Sequence, residues 1–439
     1  VQAAEQPWRA QDALGVPNWL RFALEHRSRF EYLRDDFRTA ATGDGMAWVS
    51  RTLLTTELRT RPLSLNLELA DSRAEATAAT LLNNGVVDPL DVLQAYVQLR
   101  AGSWLGADHE LTLTAGRFTR DLGARRLVAR NDFRNTINSF TGVDLVWRRR
   151  GWPGLRAFAT LPVRRLPDTP ADLANHTLLR DRENGSALLS GLVIHADMPA
   201  ELQAELYLLG LHEDDSAGVT TTNRRLWTPG LRLVRAPVVG RWDGQLELIG
   251  QFGKSRASTA AGDTTDLAHQ AASLHLAAGW KFSAPWTPRL AVHYDYATGD
   301  ADPKDGRQGR FDPLFGARRF EFGPTGLYGA LARSNLSSPG VRLEANPSAT
   351  LDAMAMWRPA WLVEAKDAWT TAQQRDPTGA AGTWVGQQWE TRLRWRLLPG
   401  NLALEVGGAW LARGRFAATA PKARDGDPIY VYSQLTGSF

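Results

Sequence analysis

The sequence predicts an all-β protein: a single transmembrane antiparallel β-barrel of about eighteen strands, with short periplasmic turns and long extracellular loops. Three observations carry this reading. Apolar and polar residues alternate in segments of about 9–11 residues, the length a barrel strand needs. Charged side chains fill one face of several segments. The connections alternate strictly between short and long.

Composition narrows the class. No apolar run approaches the roughly 20 residues of a membrane helix, so a membrane span has to be built from alternating strands. Cysteine is absent, which excludes disulfides, thiol nucleophiles and cysteine metal sites. Seventeen tryptophans suit membrane interfaces. There are 46 arginines against five lysines, yet the net charge is only +4. The arginines therefore face a nearly equal set of acids, and guanidinium forks suit carboxylate or phosphate. Val1 to Pro17 lacks the pattern of a signal peptide, and the numbering is expected to begin with the mature chain.

Residues 1–19 read as a periplasmic lead-in, and 20–439 as the barrel. In LRFALEHRSRFEY, Leu20, Phe22, Leu24, Phe30 and Tyr32 share one face. Arg21, Glu25, Arg27, Arg29 and Glu31 share the other, which must line water, because charges in a packed core lose their hydration. The next strand, Trp48 to Thr60, points Arg51, Thr55, Glu57 and Arg59 inward. After Arg61-Pro62 a four-leucine stripe (Leu63, Leu65, Leu67, Leu69) opposes Ser64, Asn66 and Glu68. Fifteen further strands are expected at about 92–100, 109–117, 138–148, 155–162, 187–196, 201–212, 225–235, 242–255, 269–282, 288–297, 341–347, 349–358, 386–398, 401–411 and 429–439.

Short connections include Arg61-Pro62, the turns near 150, 199, 238 and 285, an Asn346-Pro347 turn and Pro399-Gly400. Long ones fall at 33–46, 73–91, 118–137, 163–186, 213–224, 256–268, 298–340, 359–385 and 412–428. Segregation by parity is the outer-membrane pattern. Trp361 to Gln374 has the composition of a short helix in a loop folded towards the pore. The chain ends on an alternating strand with a terminal aromatic, Phe439.

The third long connection is a cationic insert carrying Arg117, Arg120, Arg125, Arg126, Arg130 and Arg134, with only Asp121 and Asp132 as acids. Its sequence, LTAGRFTRDLGARRLVARNDFRNTINSFTGVDL, resembles the alginate-export family of outer-membrane proteins through Gly116-Arg117, Arg126-Leu127-Val128, Asp132-Phe133, Asn135, Ser139-Phe140 and Gly142-Val143. A second similar segment is HYDYATGDADPKDGRQGRFDPLFG, with Thr298 where the family has serine; RFEYLRDDFR also fits. The resemblance implies one barrel of eighteen antiparallel strands in a Gram-negative outer membrane. It also implies a narrow, arginine-lined, electropositive path such as the one that exports a polyuronate in the family's best-known member.

The residues expected to line that path are Arg27, Arg29, Arg51, Arg59, Arg117, Arg125, Arg126, Arg130, Arg392, Arg394 and Arg396, with Glu25, Glu57, Glu390 and Asp295. Arg392, Arg394 and Arg396 form a ladder opposed by Trp389, Leu393 and Trp395. Such a ladder can accept successive carboxylates; cross-strand pairing with Glu25, Glu57, Glu68, Glu390 and Asp295 is the alternative. Asp300, Asp302 and Asp305 hint at a calcium loop, but the sixth position is not glycine and no glutamate closes it. A polar turn is the simpler reading. No catalytic, cofactor or nucleic-acid motif stands out, His26 and Ser28 being an i, i+2 coincidence and Arg148-Arg149-Arg150 a solvated rim. The expected function is passive passage of anionic solutes, an acidic polysaccharide such as alginate among them. A porin for small acids or sugars, and a barrel anchoring a periplasmic secretion or scaffold protein, are the alternatives. Outer-membrane lipid is the expected surrounding partner.

Overall fold

The computed structural model describes residues 7–41, 43–216 and 219–439, apart from the side chains of Ser103 and Trp104. The first six residues of the expected lead-in lie outside them. Eighteen strands form one closed antiparallel barrel: β1 (Leu20–Arg34), β2 (Gly45–Thr60), β3 (Leu63–Ala76), β4 (Asp88–Arg100), β5 (His109–Phe118), β6 (Phe140–Arg149), β7 (Gly154–Arg164), β8 (Ala187–Met198), β9 (Leu202–Glu213), β10 (Arg225–Arg235), β11 (Trp242–Ser255), β12 (Leu267–Lys281), β13 (Arg289–Ala297), β14 (Leu336–Ser348), β15 (Leu351–Trp361), β16 (Trp384–Leu398), β17 (Leu402–Arg413) and β18 (Ile429–Ser438). Each pairs with its neighbour in sequence. The seam closes between β1 and β18, in register from Glu25 opposite Ser438 to Arg34 opposite Ile429. Closure leaves no unpaired edge, the condition for strands to cross lipid.

The eight short connections gather at one end and the nine long ones at the other: L1 (35–44), L2 (77–87), L3 (119–139), L4 (165–186), L5 (214–224), L6 (256–266), L7 (298–335), L8 (362–383) and L9 (414–428). The outer face carries the apolar rows: Leu63, Leu65 and Leu67 are 46, 49 and 42% exposed. In water each would forfeit on the order of 1 kcal/mol; lipid covers them instead. Exposed Trp19, Trp152, Trp242 and Trp286 mark the turn end, and Trp48, Trp227 and Trp410 the loop end, where amphipathic indoles sit at headgroup level.

The inner face changes character with height. Towards the turns it is charged. Towards the loops the pattern inverts: Leu33, Val49 and Ala74 point inward and are buried, while Asp71, Arg73 and Glu75 face outward. The strands rise beyond the lipid there, so water lies outside. Inside, the long loops pack into the lumen as an apolar plug. Phe37 of L1, Val86 and Val87 of L2, Leu173 of L4, Leu327 and Leu331 of L7, Trp369 of L8 and Phe416 of L9 share one core with the wall. Trp369 stacks on Phe37 at 5.2 Å and donates its indole N–H to the Ala330 carbonyl at 2.7 Å.

Three local expectations are corrected. Asn346 and Pro347 lie inside β14, whose register shifts between Ala345 and Ser348; the turn is residues 349–350. A bulge accommodates Pro347, which has no N–H to donate. Trp361 closes β15, and the segment after it forms no helix; Ala368–Trp369 pairs with Gln374–Arg375 as a small hairpin. Its buried indole explains why tertiary packing prevails over helix propensity. β14 begins at Leu336, five residues earlier than predicted, because the strand extends above the membrane.

The described lead-in docks at the turn end. The Trp8 N–H donates to Asn401 Oδ1 at 2.8 Å, Arg9 donates to the Gly400 carbonyl, and the Trp8 ring meets Phe439 edge-on.

Candidate functional site: the arginine-lined lumen

L3 (119–139) enters the barrel because the wall supplies donors for its carbonyls. Arg27 donates to the Asp132 and Arg134 carbonyls, both at 2.7 Å. Arg29 donates to the Phe133 carbonyl at 2.6 Å. Arg51 donates to the Asp132 carbonyl at 3.0 Å and its carboxylate at 2.9 Å. Asn135, fully buried, donates to carbonyls of Ser50, Arg73 and Val86. Burial without such partners would be costly. Arg27, Arg29 and Arg51, expected to line the path, thus chiefly hold this loop, and Arg27 also borders a lumen cavity.

L7 (298–335) runs beside L3. Phe315 N–H donates to the Leu127 carbonyl at 2.9 Å, Ala129 N–H to Phe315 at 3.1 Å, and Ala317 N–H to Arg125 at 2.8 Å. A side chain on Gly316 would strike the Arg126 carbonyl, so the ribbon needs glycine there. Arg126 pins the ribbon to the wall. Its guanidinium, 2% exposed, meets Glu247 of β11 and, at 2.9 Å, Glu321 of L7. Arg333 adds a second bond to Glu321 at 3.2 Å.

Two lumen cavities flank the ribbon on the turn side, of 520 and 350 Å³. Both are bordered by Arg125, Phe320 and Arg342. Arg125 sits at φ +65°, which turns the L3 tip inward, and its guanidinium lies 3.5 Å from the centre of the Phe320 ring. Among the described residues its side chain makes no ion pair. The ring orients the cation without neutralising it.

The other expected residues are mostly paired. Arg394 meets Glu405 at 2.6 Å, while Arg392 and Arg396 share Asp352 at 3.5 and 3.2 Å. Arg51 also reaches Glu25 at 3.3 Å. Arg59 pairs with Glu57 near the turns at 2.7 Å. Arg117 binds Glu183 of L4 at 2.8 Å, towards the loops, and Arg130 binds Glu68 at 3.1 Å. Glu390 receives Arg319 at 2.5 Å. Asp295 lies between His275 and Arg358 at 2.7 and 2.8 Å. Asp300, Asp302 and Asp305 accept backbone N–H groups of Gly309, Lys304 and Arg307, the bonding of a polar turn. Missed were Arg289 and Arg342, whose inward parity was readable on their strands, and Arg319 and Phe320, which lie in an aperiodic loop.

Burial would raise the Glu321 carboxyl, but Arg126 and Arg333 outweigh it and hold it below its usual range. A depressed carboxyl stabilises the folded ribbon above its unfolded value, about 4.3, and that contribution disappears as pH falls through the folded value. Protease accessibility of 298–335 is therefore expected to rise sharply only below about pH 4. Loosening already at pH 6 would contradict this.

No curated protein matches the chain. Among solved structures, Pseudomonas aeruginosa OccD3 (OpdP) superposes with a TM-score of 0.60 at 13% identity, covering 96% of this chain and 91% of that one. OccK3 (OpdO) from the same organism gives 0.58 at 15%, covering 96 and 95%. The P. aeruginosa outer membrane protein opdK gives 0.56 at 13%, covering 95 and 99%. These likenesses establish the fold, that of outer-membrane porins. Residues 18–428 match the family described as alginate export. With its closed eighteen-strand wall and inward cationic loop, the chain belongs to the alginate-export family of Gram-negative outer-membrane β-barrels.

Proposed function

We propose that the barrel passes anionic solutes passively through its lumen, acidic polysaccharide among them, with no covalent step. One observation supports this most. Each of the two cavities that share Arg125 is lined by six arginines against three carboxylates, and among the described residues Arg125 has no acid partner. Such a cation inside low-dielectric walls attracts anions and releases them readily, since no fixed fork holds them.

A path for small acids is the second reading. It is favoured by the loop-end cavity of 220 Å³ bordered by Arg224, Arg256 and Arg310, which suits a small solute better than a polymer segment. Purified barrels in a planar bilayer under a salt gradient test the shared claim. The reversal potential is expected to show anion preference, and cation preference overturns it. Block by polyuronate oligomers supports the polysaccharide reading; passage of small acids without such block supports the second.

A further inference from the structure

Near the loop end of the wall, on its inward face, three carboxylates converge. Asp88 and Asp91 open β4, and Asp181 comes from L4 (165–186), about ninety residues later in the chain. One oxygen from each lies within 4.8 Å of the others. Two oxygens bound to one calcium ion at 2.3–2.6 Å can be separated by up to roughly 5 Å, so the spacing fits a shared ion.

Asp88 is the informative member. It is 5% exposed, and its Oδ1 has no hydrogen-bond partner. A buried carboxylate without donors is strongly unfavourable unless something positive meets it. Its neighbours are already placed. Asp91 accepts the Val92 N–H at 2.5 Å and the Asp181 N–H, and Asp181 accepts the Leu166 N–H at 2.7 Å.

The nearby guanidiniums do not fill the gap. Arg117 is bound to Glu183 at 2.8 Å and reaches Asp91 only at 4.0 Å. Arg165 donates to the Asn84 carbonyl and to Asn138. Asp88, Asp91, Asp181 and Glu183 against Arg117 and Arg165 leave two negative charges, the charge of one divalent cation. All the side-chain donors are oxygen, which selects a hard ion.

We propose that Asp88, Asp91 and Asp181 bind a calcium ion that clamps L4 to the rim of β4. L4 carries Leu173 into the apolar plug, so the ion couples the extracellular medium to loop packing. Magnesium, which demands tighter octahedral geometry and keeps its waters, binds more weakly.

The test is calorimetric titration of the EDTA-stripped, detergent-solubilised full chain with CaCl₂, alongside Asp88→Asn and Asp181→Asn. One calcium per chain is expected, with affinity at least tenfold lower in each variant. Trypsin cleavage within 165–186 is expected to slow with calcium in the wild type and to ignore calcium in the variants. No heat above the detergent blank, or unchanged affinity in both variants, overturns the site. Should Asp88→Asn fail to give the heat-modifiable barrel band on a gel, Asp181→Asn, which lies in a loop, decides alone.

Discussion

Replacing Arg126 with methionine is expected to release the L3–L7 ribbon from the wall. The substitution leaves Glu247 and Glu321, 3 and 6% exposed, without their principal cation, and stranding one partner of a buried pair costs about 3–5 kcal/mol. Arg333 remains on Glu321, so Glu247 carries most of the loss. The barrel itself should survive, since its strand ladder does not involve Arg126. Rapid proteolysis in 119–139 and 298–335, with larger and noisier single-channel currents, is the expected signature. A variant with wild-type protection of both loops would show that the pairing does not hold the ribbon.

The second large effect concerns selectivity. Arg125→Gln removes a charge that no acid among the described residues neutralises while retaining length to lie on Phe320. A unit charge bordering a narrow aqueous path is worth on the order of 1 kcal/mol at intermediate dielectric, a roughly fivefold loss of anion preference. The reversal potential should move accordingly, with thermal stability and loop protection unchanged. An unmoved reversal potential would remove Arg125 from the path. Changing Arg392, Arg394 and Arg396 together to serine is a less specific experiment. It strands Asp352 and Glu405, so a shift towards cations would follow whether or not those arginines meet solute.

The barrel was legible because period-two alternation is a local property. The row Leu63, Leu65, Leu67 opposite Ser64, Asn66 and Glu68 reads the same in sequence and in three dimensions. So does the inward row Arg27, Arg29, Glu31. Loop parity gave the orientation of the strands, since short turns can only join neighbours. The calcium spacing sought within 300–305 is local too, and those carboxylates serve as turn caps. The cluster of Asp88, Asp91 and Asp181 had no sequence signal, because L4 brings its third member from far along the chain.

By itself, then, the chain's alternation determined eighteen strands, their facing, and the presence of a cationic third loop. Only the tertiary structure decided which arginines are occupied. Inward direction is set by strand parity. Whether a guanidinium meets a loop carbonyl, as Arg27 and Arg51 do, or open lumen, as Arg125 does, depends on how L3 and L7 fold back between walls distant in sequence, whereas Arg394 meets Glu405 across a single hairpin. The loop contacts of Arg27 and Arg51 join segments 81 to 107 residues apart, and no periodicity encodes them.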